Sequence, residues 1–166
     1  MYKQYQVRYL VQESNDGVLW HDVATCMSEE EALEEIKERE NDTAHNEIAW
    51  QLYDELQHHR ITNYDEYSKR LYELLDLAHP NEERVGDYVG DVENIMHNKW
   101  SFGFCDMCNE VIFYDDDPWY DVAMAEPQEQ DILEETLPKY QKELGHEIQD
   151  VCSTCFHKLL KNEKGE

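Results

Sequence analysis

Two cysteine pairs constrain the fold of this chain more strongly than any other feature of its sequence. Cys105 and Cys108 form one C-x2-C pair, and Cys152 and Cys155 form a second pair after 43 intervening residues. A two-residue spacer lets the chain turn back so that both sulfurs reach one ion at about 2.3 Å, and two such turns complete a tetrahedron. The spacing therefore predicts one Zn²⁺ per chain. Four thiolates leave no open position on the ion, so the metal is expected to be structural rather than catalytic.

Other uses of the thiols stay open at this point. Each pair is also compatible with a redox dithiol, and thiolate ligands alone do not distinguish zinc from an iron–sulfur cluster. A thioredoxin-like redox site, however, belongs to a βαβ unit, and two copies in one small chain would be unusual. His157 is a reserve ligand if one cysteine fails to reach the ion. The fifth thiol, Cys26, has no base near it in sequence and is expected to pack as a small apolar side chain.

The segments around the two pairs predict different local structures. The first, "SFGFCDMCNEVIFYDD", has aromatic and β-branched residues on both sides of its cysteines, as a β-hairpin would, whereas "VCSTCFHKLL" runs from the second pair into an apolar helical stripe. A cysteine turn within a hairpin, followed by ligands on the first turn of a helix, resembles the treble-clef class of zinc fingers. The resemblance covers about residues 100–117 and 151–164, and it implies that the metal folds this module.

The chain departs from compact treble-clef proteins by a long insertion between the cysteine pairs. Its segment "EPQEQDILEETLPKYQKELGHE" predicts one or two short acidic helices. A proline inside a helix removes a hydrogen bond and clashes with the preceding turn, so a break is expected near Pro138. The helical pattern is expected to end at Gly145, because glycine tolerates the left-handed conformation that terminates many helices.

The N-terminal residues 1–40 predict a β-β-α unit. The first strand is indicated by apolar residues that alternate with polar ones, namely Tyr5, Val7, Tyr9 and Val11. The cluster "ESNDG" predicts a turn, and "VLWHDVAT" predicts a second extended run. Ser28 with Glu31 three residues later forms a capping box, which places the start of a helix there.

Residues 41–98 predict a helical segment. Apolar residues recur every four positions in "HNEIAWQLYDELQHHR". A second helix is expected to start at the capping pair Asn63 and Glu66 and to stop before Pro80, which disfavours helical geometry at the preceding residue. A third is predicted in "NEERVGDYVGDVENIMHNKW". With the zinc-binding module and its acidic insertion over 99–166, the fold class is α+β, and we expect the three parts to pack as one globular unit.

The charge of the chain limits the partners it can bind. Its formal net charge is -25, and the interval between Lys99 and Lys139 contains eleven acidic residues and no lysine or arginine. Such a field repels nucleic-acid phosphates and attracts basic surfaces, so we expect a protein partner with a basic surface and no direct nucleic-acid binding. No apolar run approaches the roughly 20 residues that span a bilayer, and "MYKQYQVRYL" lacks the core of a secretory signal. These absences predict no membrane partner and a cytoplasmic location.

A non-enzymatic interaction or inhibitor protein is the function that these features favour. In charge character the chain is similar to small acidic proteins that mimic DNA, many of them phage-encoded counter-defence or host-takeover factors. Acidic residues around two aromatic anchors form the predicted partner-binding site, namely Asp115, Asp116, Asp117, Trp119, Tyr120 and Asp121. The alternative is a scaffold or regulatory subunit with structural zinc, whose acidity serves only solubility.

The sequence matches none of the enzyme motifs that were considered for it. Treble-clef sites also scaffold HNH-type nucleases, but that family needs a histidine base on the hairpin after the first cysteine pair, and here the next histidine is His146. An HNH-like nuclease or a nucleic-acid-binding zinc protein is therefore the third hypothesis. The pair His21 and Asp22 lies in a predicted strand, where neighbours face opposite ways, which differs from the helical HD signature of metal phosphohydrolases. No catalytic residue is assigned.

Overall fold

The computed structural model describes residues 8–161 and has the mixed α+β architecture that the sequence predicts. Two of the predicted strand residues, Tyr5 and Val7, lie outside the described residues, as do the last five residues of the predicted zinc module. The chain divides into two compact units between Glu47 and Ile48. Within the described residues, no helix is both long enough and apolar enough to cross a membrane.

The first unit is a β-hairpin followed by a helix, as predicted. Strands β1 (Tyr9–Glu13) and β2 (His21–Cys26) pair antiparallel with a bulge between Val11 and Gln12. The second strand starts three residues later than its apolar pattern suggested. The reason is local, because the Asp16 carboxylate accepts the backbone N–H groups of Val18 and Leu19 and holds them in the turn.

Helix α1 (Glu29–Gln57) begins at the predicted capping pair and continues into the second unit. Ser28 Oγ accepts the N–H of Glu31 at 3.1 Å, and the Glu31 carboxylate accepts the N–H of Met27 at 2.8 Å. The sequence predicted separate segments for residues 1–40 and 41–98. The structure instead has one helix of 29 residues.

The remaining helices of the second unit begin and end largely where the sequence signals place them. Helix α2 (Tyr64–Ala78) is capped by Asn63, whose side chain accepts the N–H of Glu66, and it stops at His79 before Pro80. A 3-10 turn (Val85–Tyr88) then leads into α3 (Val89–Lys99). Helices α1, α2 and α3 share an apolar core, whose fully buried side chains include Leu52, Leu56, Leu71, Leu75, Val92 and Met96.

The C-terminal part of the second unit is built from short strands around two helices. Strand β3 (Phe102–Phe104) pairs with β4 (Val111–Phe113), and β5 (Trp119–Asp121) pairs with β6 (Asp150–Cys152), both antiparallel. Helix α4 (Pro127–Leu144) is inserted between β5 and β6, and α5 (Ser153–Leu160) follows β6 directly. A second apolar core lies among these elements and includes Ile112, Leu133, Val151, Phe156 and Leu159.

The predicted helix break near Pro138 is wrong. Helix α4 runs through Pro138 without interruption and ends at Gly145, whose φ of 78° confirms the predicted left-handed terminus. A proline at this position costs the helix one hydrogen bond. The loss is offset by tertiary packing, because Leu133 and Thr136 of the same helix are buried and Leu137 packs against the second core.

Candidate metal centre

The four paired cysteines come together in the second unit. Their Sγ atoms all lie within 4.8 Å of one another, and the Sγ atoms of Cys108 and Cys152 are 3.8 Å apart. A tetrahedral ion with metal–sulfur bonds of about 2.3 Å requires sulfur–sulfur distances of about 3.8 Å. Cys105 and Cys155 are buried, whereas Cys108 is exposed at the edge of the site. The thiols therefore fit the ligand set of one tetrahedral metal ion.

The first cysteine pair is shaped by a tight turn at the end of β3. The N–H of Cys105 donates to the carbonyl of Glu110, and the N–H of Asn109 donates to the carbonyl of Cys105, each at 2.8 Å. Asn109 has a φ of 61°, which lies in the left-handed region that asparagine tolerates better than most residues. This turn reverses the chain and brings the Sγ atoms of Cys105 and Cys108 close together.

Replacing Asn109 tests the conformational demand of this turn. We expect Asn109→Ala to lower the free energy of unfolding by about 1 kcal/mol and to weaken metal binding, because a Cβ-bearing residue without a polar group disfavours positive φ. Asn109→Gly should cost little, since glycine adopts this conformation readily. Urea unfolding and a chelator competition measure the two effects.

A matched control is provided by His59, which has a φ of 57° at the end of α1. His59→Ala should lower stability by a similar amount without changing metal affinity, because this residue is not part of the cysteine cluster. Equal metal affinity in Asn109→Ala and the unaltered protein would show that the turn does not depend on this residue.

The second cysteine pair is placed by a strand-to-helix junction. Cys152 is the last residue of β6 and the N-cap of α5, and Cys155 lies in the first turn of that helix. The N–H of Cys152 donates to the Sγ of Cys105 at 3.4 Å. The junction therefore places the two sulfurs of this pair at the start of one helix.

Asp106 joins the two halves of the site, a role that the sequence analysis missed. Its Oδ2 accepts the backbone N–H groups of Gln149 and Asp150, each at 2.8 Å, and its own N–H donates to the Asp150 carbonyl at 2.9 Å. The turn of the first pair is therefore tied directly to the strand that carries the second. No spacing rule could have indicated this contact, because the partners are more than 40 residues apart.

Gly103 is a second residue whose role only the structure reveals. It lies in β3 opposite Ile112, and a Cβ at this position would overlap the hydroxyl of Tyr114. That hydroxyl donates to Asp150 Oδ2 at 3.4 Å. Burial, together with the Asp150 and Asp106 carboxylates, raises the pKa of Tyr114 to about 12, so the phenol remains a hydrogen-bond donor at neutral pH.

The thiols influence one another's ionisation. Burial disfavours the Cys105 thiolate, but the backbone N–H groups of Cys108, Cys152 and Met107 outweigh burial and lower its pKa. Burial raises the pKa of Cys108 to about 12 and also raises the pKa of Cys155, and the charge on Cys105 adds to both effects. Four thiolates in one place therefore require a cation. Metal affinity should fall as the pH falls, because protons compete with the ion for the sulfurs.

The histidines and the fifth cysteine that the sequence raised as alternatives do not join the cysteine cluster. His157 is exposed and does not join the cysteine cluster. The Asp22 carboxylate accepts a hydrogen bond from Gln12 across the hairpin at 2.8 Å. His146, the first histidine after the first cysteine pair, has its Nε2 2.7 Å from the Asp106 carbonyl oxygen. Cys26 is half-buried at the end of β2.

The predicted partner-binding residues fall into two groups. Asp115, Asp116 and Asp117 are exposed in the turn between β4 and β5, and Asp117 also accepts the N–H of Phe113 at 2.9 Å. Trp119, Tyr120 and Asp121 form β5 and line a groove of about 460 Å³. The remaining lining residues, which the sequence did not indicate, are Met124, Ala125, Glu126 and Glu129.

The two aromatic residues of β5 differ in exposure. Trp119 is 37% exposed, and its indole N–H donates to the carbonyl of Tyr114 at 3.2 Å. Tyr120 is half-buried and stacks on Phe156, with ring centroids 4.1 Å apart and an interplanar angle of 6°. Tyr120 is therefore partly a core residue, whereas Trp119 presents much of its surface to solvent.

These contacts define the C-terminal part of the second unit as a four-cysteine module able to bind a metal ion. The chain matches no family model, and no curated protein or solved structure is significantly similar to it.

Proposed function

We propose that this protein is a non-enzymatic, acidic interaction or inhibitor protein that docks on a basic surface of a partner protein. The observation that carries this function is the acidic aromatic face, defined as Asp115, Asp116 and Asp117 with the groove residues Trp119, Met124, Glu126 and Glu129. Apolar anchors inside a charged rim are the arrangement that binding hot spots favour.

The metal has a structural role in this function, and Zn²⁺ is the ion we assign. Soft thiolate ligands in a tetrahedral arrangement suit Zn²⁺, and four of them leave no position for a substrate. The arrangement also matches the treble-clef resemblance, with one pair in a turn beside a hairpin and the other at the start of a helix. The ion would fix β5 against β6, because Cys152 pairs directly with Trp119 in that ladder.

The charge of the face suits a partner surface rich in lysine and arginine. Of the eleven acidic residues between Lys99 and Lys139, eight are exposed. Four of these belong to the face, namely Asp115, Asp116, Asp117 and Glu126, and the other four are Glu110, Asp131, Glu134 and Glu135. Exposed carboxylates of one sign steer a basic partner and raise its association rate. A basic surface that normally binds nucleic acid would meet these requirements, as in proteins that mimic DNA, including phage-encoded counter-defence or host-takeover factors.

A binding experiment with a charge variant tests this function. We expect Asp115→Asn, Asp116→Asn and Asp117→Asn together to retain the metal but to slow association with a captured partner about tenfold or more. The loss should shrink as salt rises, because screening acts beyond a Debye length of about 8 Å at 0.15 M. Association rates measured by surface plasmon resonance across a salt series provide the readout.

The matched control removes three charges elsewhere. Glu34→Gln, Glu38→Gln and Glu143→Gln together remove three negative charges, as many as the aspartate variant, at exposed positions outside the face. If this control slows association as much as the aspartate variant, the acidity acts only through net charge and the scaffold or regulatory reading gains support. Duplex DNA should displace the captured partner without binding this protein, and a mobility shift with DNA alone would favour the nuclease reading.

A further inference from the structure

The first unit contains an open groove that the acidic aromatic face does not include. It lies between the hairpin and α1 and has a volume of about 380 Å³. The apolar part of its lining comes from both strands, the turn and the helix: Val11, Trp20, Val23, Ile36 and Ala44. A small ligand usually has 70–90% of its surface buried, which an open groove provides less readily than a deep cleft or cavity. An open groove of this kind instead accommodates a row of side chains from another chain.

The exposure of this lining indicates that it lacks a cover. Within residues 8–47, the buried apolar side chains are Val11 and Ala32, whereas Trp20 is 58% exposed and Ile36 is 39% exposed. A unit of about 40 residues buries too little apolar surface to be stable by itself. Covering Trp20 and Ile36 would therefore stabilise the unit as well as the complex.

Arg39 links the helix to the two strands that line the groove. Its guanidinium forms an ion pair with Glu35 at 2.7 Å, donates to the Val23 carbonyl at 3.5 Å and lies 3.9 Å from the Glu13 carboxylate. These contacts connect α1 to both strands. They also place carboxylates beside the one basic residue in the lining, so its charge is compensated locally.

Apart from Arg39, every charged residue that lines the groove is acidic. Glu13, Glu40 and Glu47 line the groove, and all three are exposed. A second copy of this chain would bring a net charge of -25 against a like-charged rim, which opposes self-association. Apolar side chains flanked by lysine or arginine fit both the lining and the rim.

We propose that this groove is a second docking surface, which takes an amphipathic, positively charged segment of a partner protein. Apolar side chains of that segment pack against Trp20, Val23 and Ile36, and its basic side chains lie near Glu40 and Glu47. The acidic aromatic face and this groove then contact a basic partner independently, each with an apolar anchor and a carboxylate rim.

Calorimetric titration of the full chain with a synthetic peptide of leucine and lysine at helical spacing tests this assignment. The double variant Trp20→Ala and Ile36→Ser should bind the peptide about tenfold more weakly. A second variant, Glu40→Gln with Glu47→Gln, should bind about threefold more weakly and show a flatter salt dependence, and it keeps the test valid if the first variant folds poorly. Replacing the peptide lysines by glutamates, or its leucines by serines, should abolish binding.

Two controls separate this groove from the acidic aromatic face. Leu77→Ser changes an apolar residue on α2 that is 76% exposed, and it should leave peptide affinity unchanged. The triple aspartate variant of the face should also bind the peptide normally. Unchanged affinity in Trp20→Ala and Ile36→Ser, or loss of binding in the triple aspartate variant, would overturn the assignment. A dimer that Trp20→Ala dissociates would place a second copy in the groove and overturn it as well.

Discussion

Chelation of the metal is expected to unfold the C-terminal module. Because the ion binds the four sulfurs only where the fold brings them together, metal binding and the fold of residues 102–160 depend on each other. The apparent free energy of structural zinc binding is about 10–16 kcal/mol, which matches or exceeds the whole stability of a typical domain, about 5–15 kcal/mol. Addition of a strong chelator should narrow the range of amide chemical shifts of these residues in NMR spectra, as in an unfolded chain. The core of α1, α2 and α3 should keep part of its helical signal but become less stable, since Phe102, Phe104 and Phe113 of the module pack in or against it.

Substitution of a ligand should have the same effect as chelation. Cys105→Ser removes a buried thiol that accepts a backbone hydrogen bond and contributes to the metal site. Cys26→Ser is the matched control, because it removes a thiol that lies outside the cluster. Elemental analysis should find one zinc per chain in the unaltered protein and in Cys26→Ser, and less in Cys105→Ser. An equal metal content in both variants, or no metal in the unaltered protein, would contradict the assigned site.

Phe156→Ala is expected to lower the free energy of unfolding of the metal-loaded protein by about 3–5 kcal/mol. Phe156 is 2% exposed, belongs to the second core and stacks on Tyr120. Its removal leaves a cavity at α5 that the neighbouring residues of α4 and β5 can fill only in part. Because Tyr120 lies beside Trp119 in β5, the variant should also weaken partner binding at the acidic aromatic face. Denaturant unfolding at saturating zinc measures the first effect.

The specificity of this loss is checked with two further substitutions. Phe156→Leu keeps an apolar side chain in the core and should cost less than Phe156→Ala. Leu77→Ala alters an exposed position on α2 and should change stability by no more than about 0.5 kcal/mol. If Phe156→Ala costs less than about 1 kcal/mol, the second core does not depend on this ring and the packing of Tyr120 must be reconsidered.

The sequence was sufficient for features that depend on neighbouring residues. The cysteine spacing predicted each close pair of sulfurs, because a C-x2-C turn brings two sulfurs together whatever the rest of the chain does, whereas the meeting of the two pairs depends on the fold. The capping pairs Ser28–Glu31 and Asn63–Glu66 marked two helix starts, and Gly145 marked a helix end, since each acts within one helical turn.

Features that depend on distant segments were decided by tertiary structure alone. Helix α4 continues through Pro138 because its apolar side chains are buried against residues far away in the chain, and this burial outweighs one lost hydrogen bond. The roles of Asp106 and Gly103 likewise follow from contacts with Asp150 and Tyr114. The groove beside β5 combines residues nominated from the sequence with others, such as Met124, that were not. Hydrogen-bond and steric preferences over a few residues can be recognised in a sequence, whereas the surfaces that pack against each other depend on how the whole chain folds back on itself.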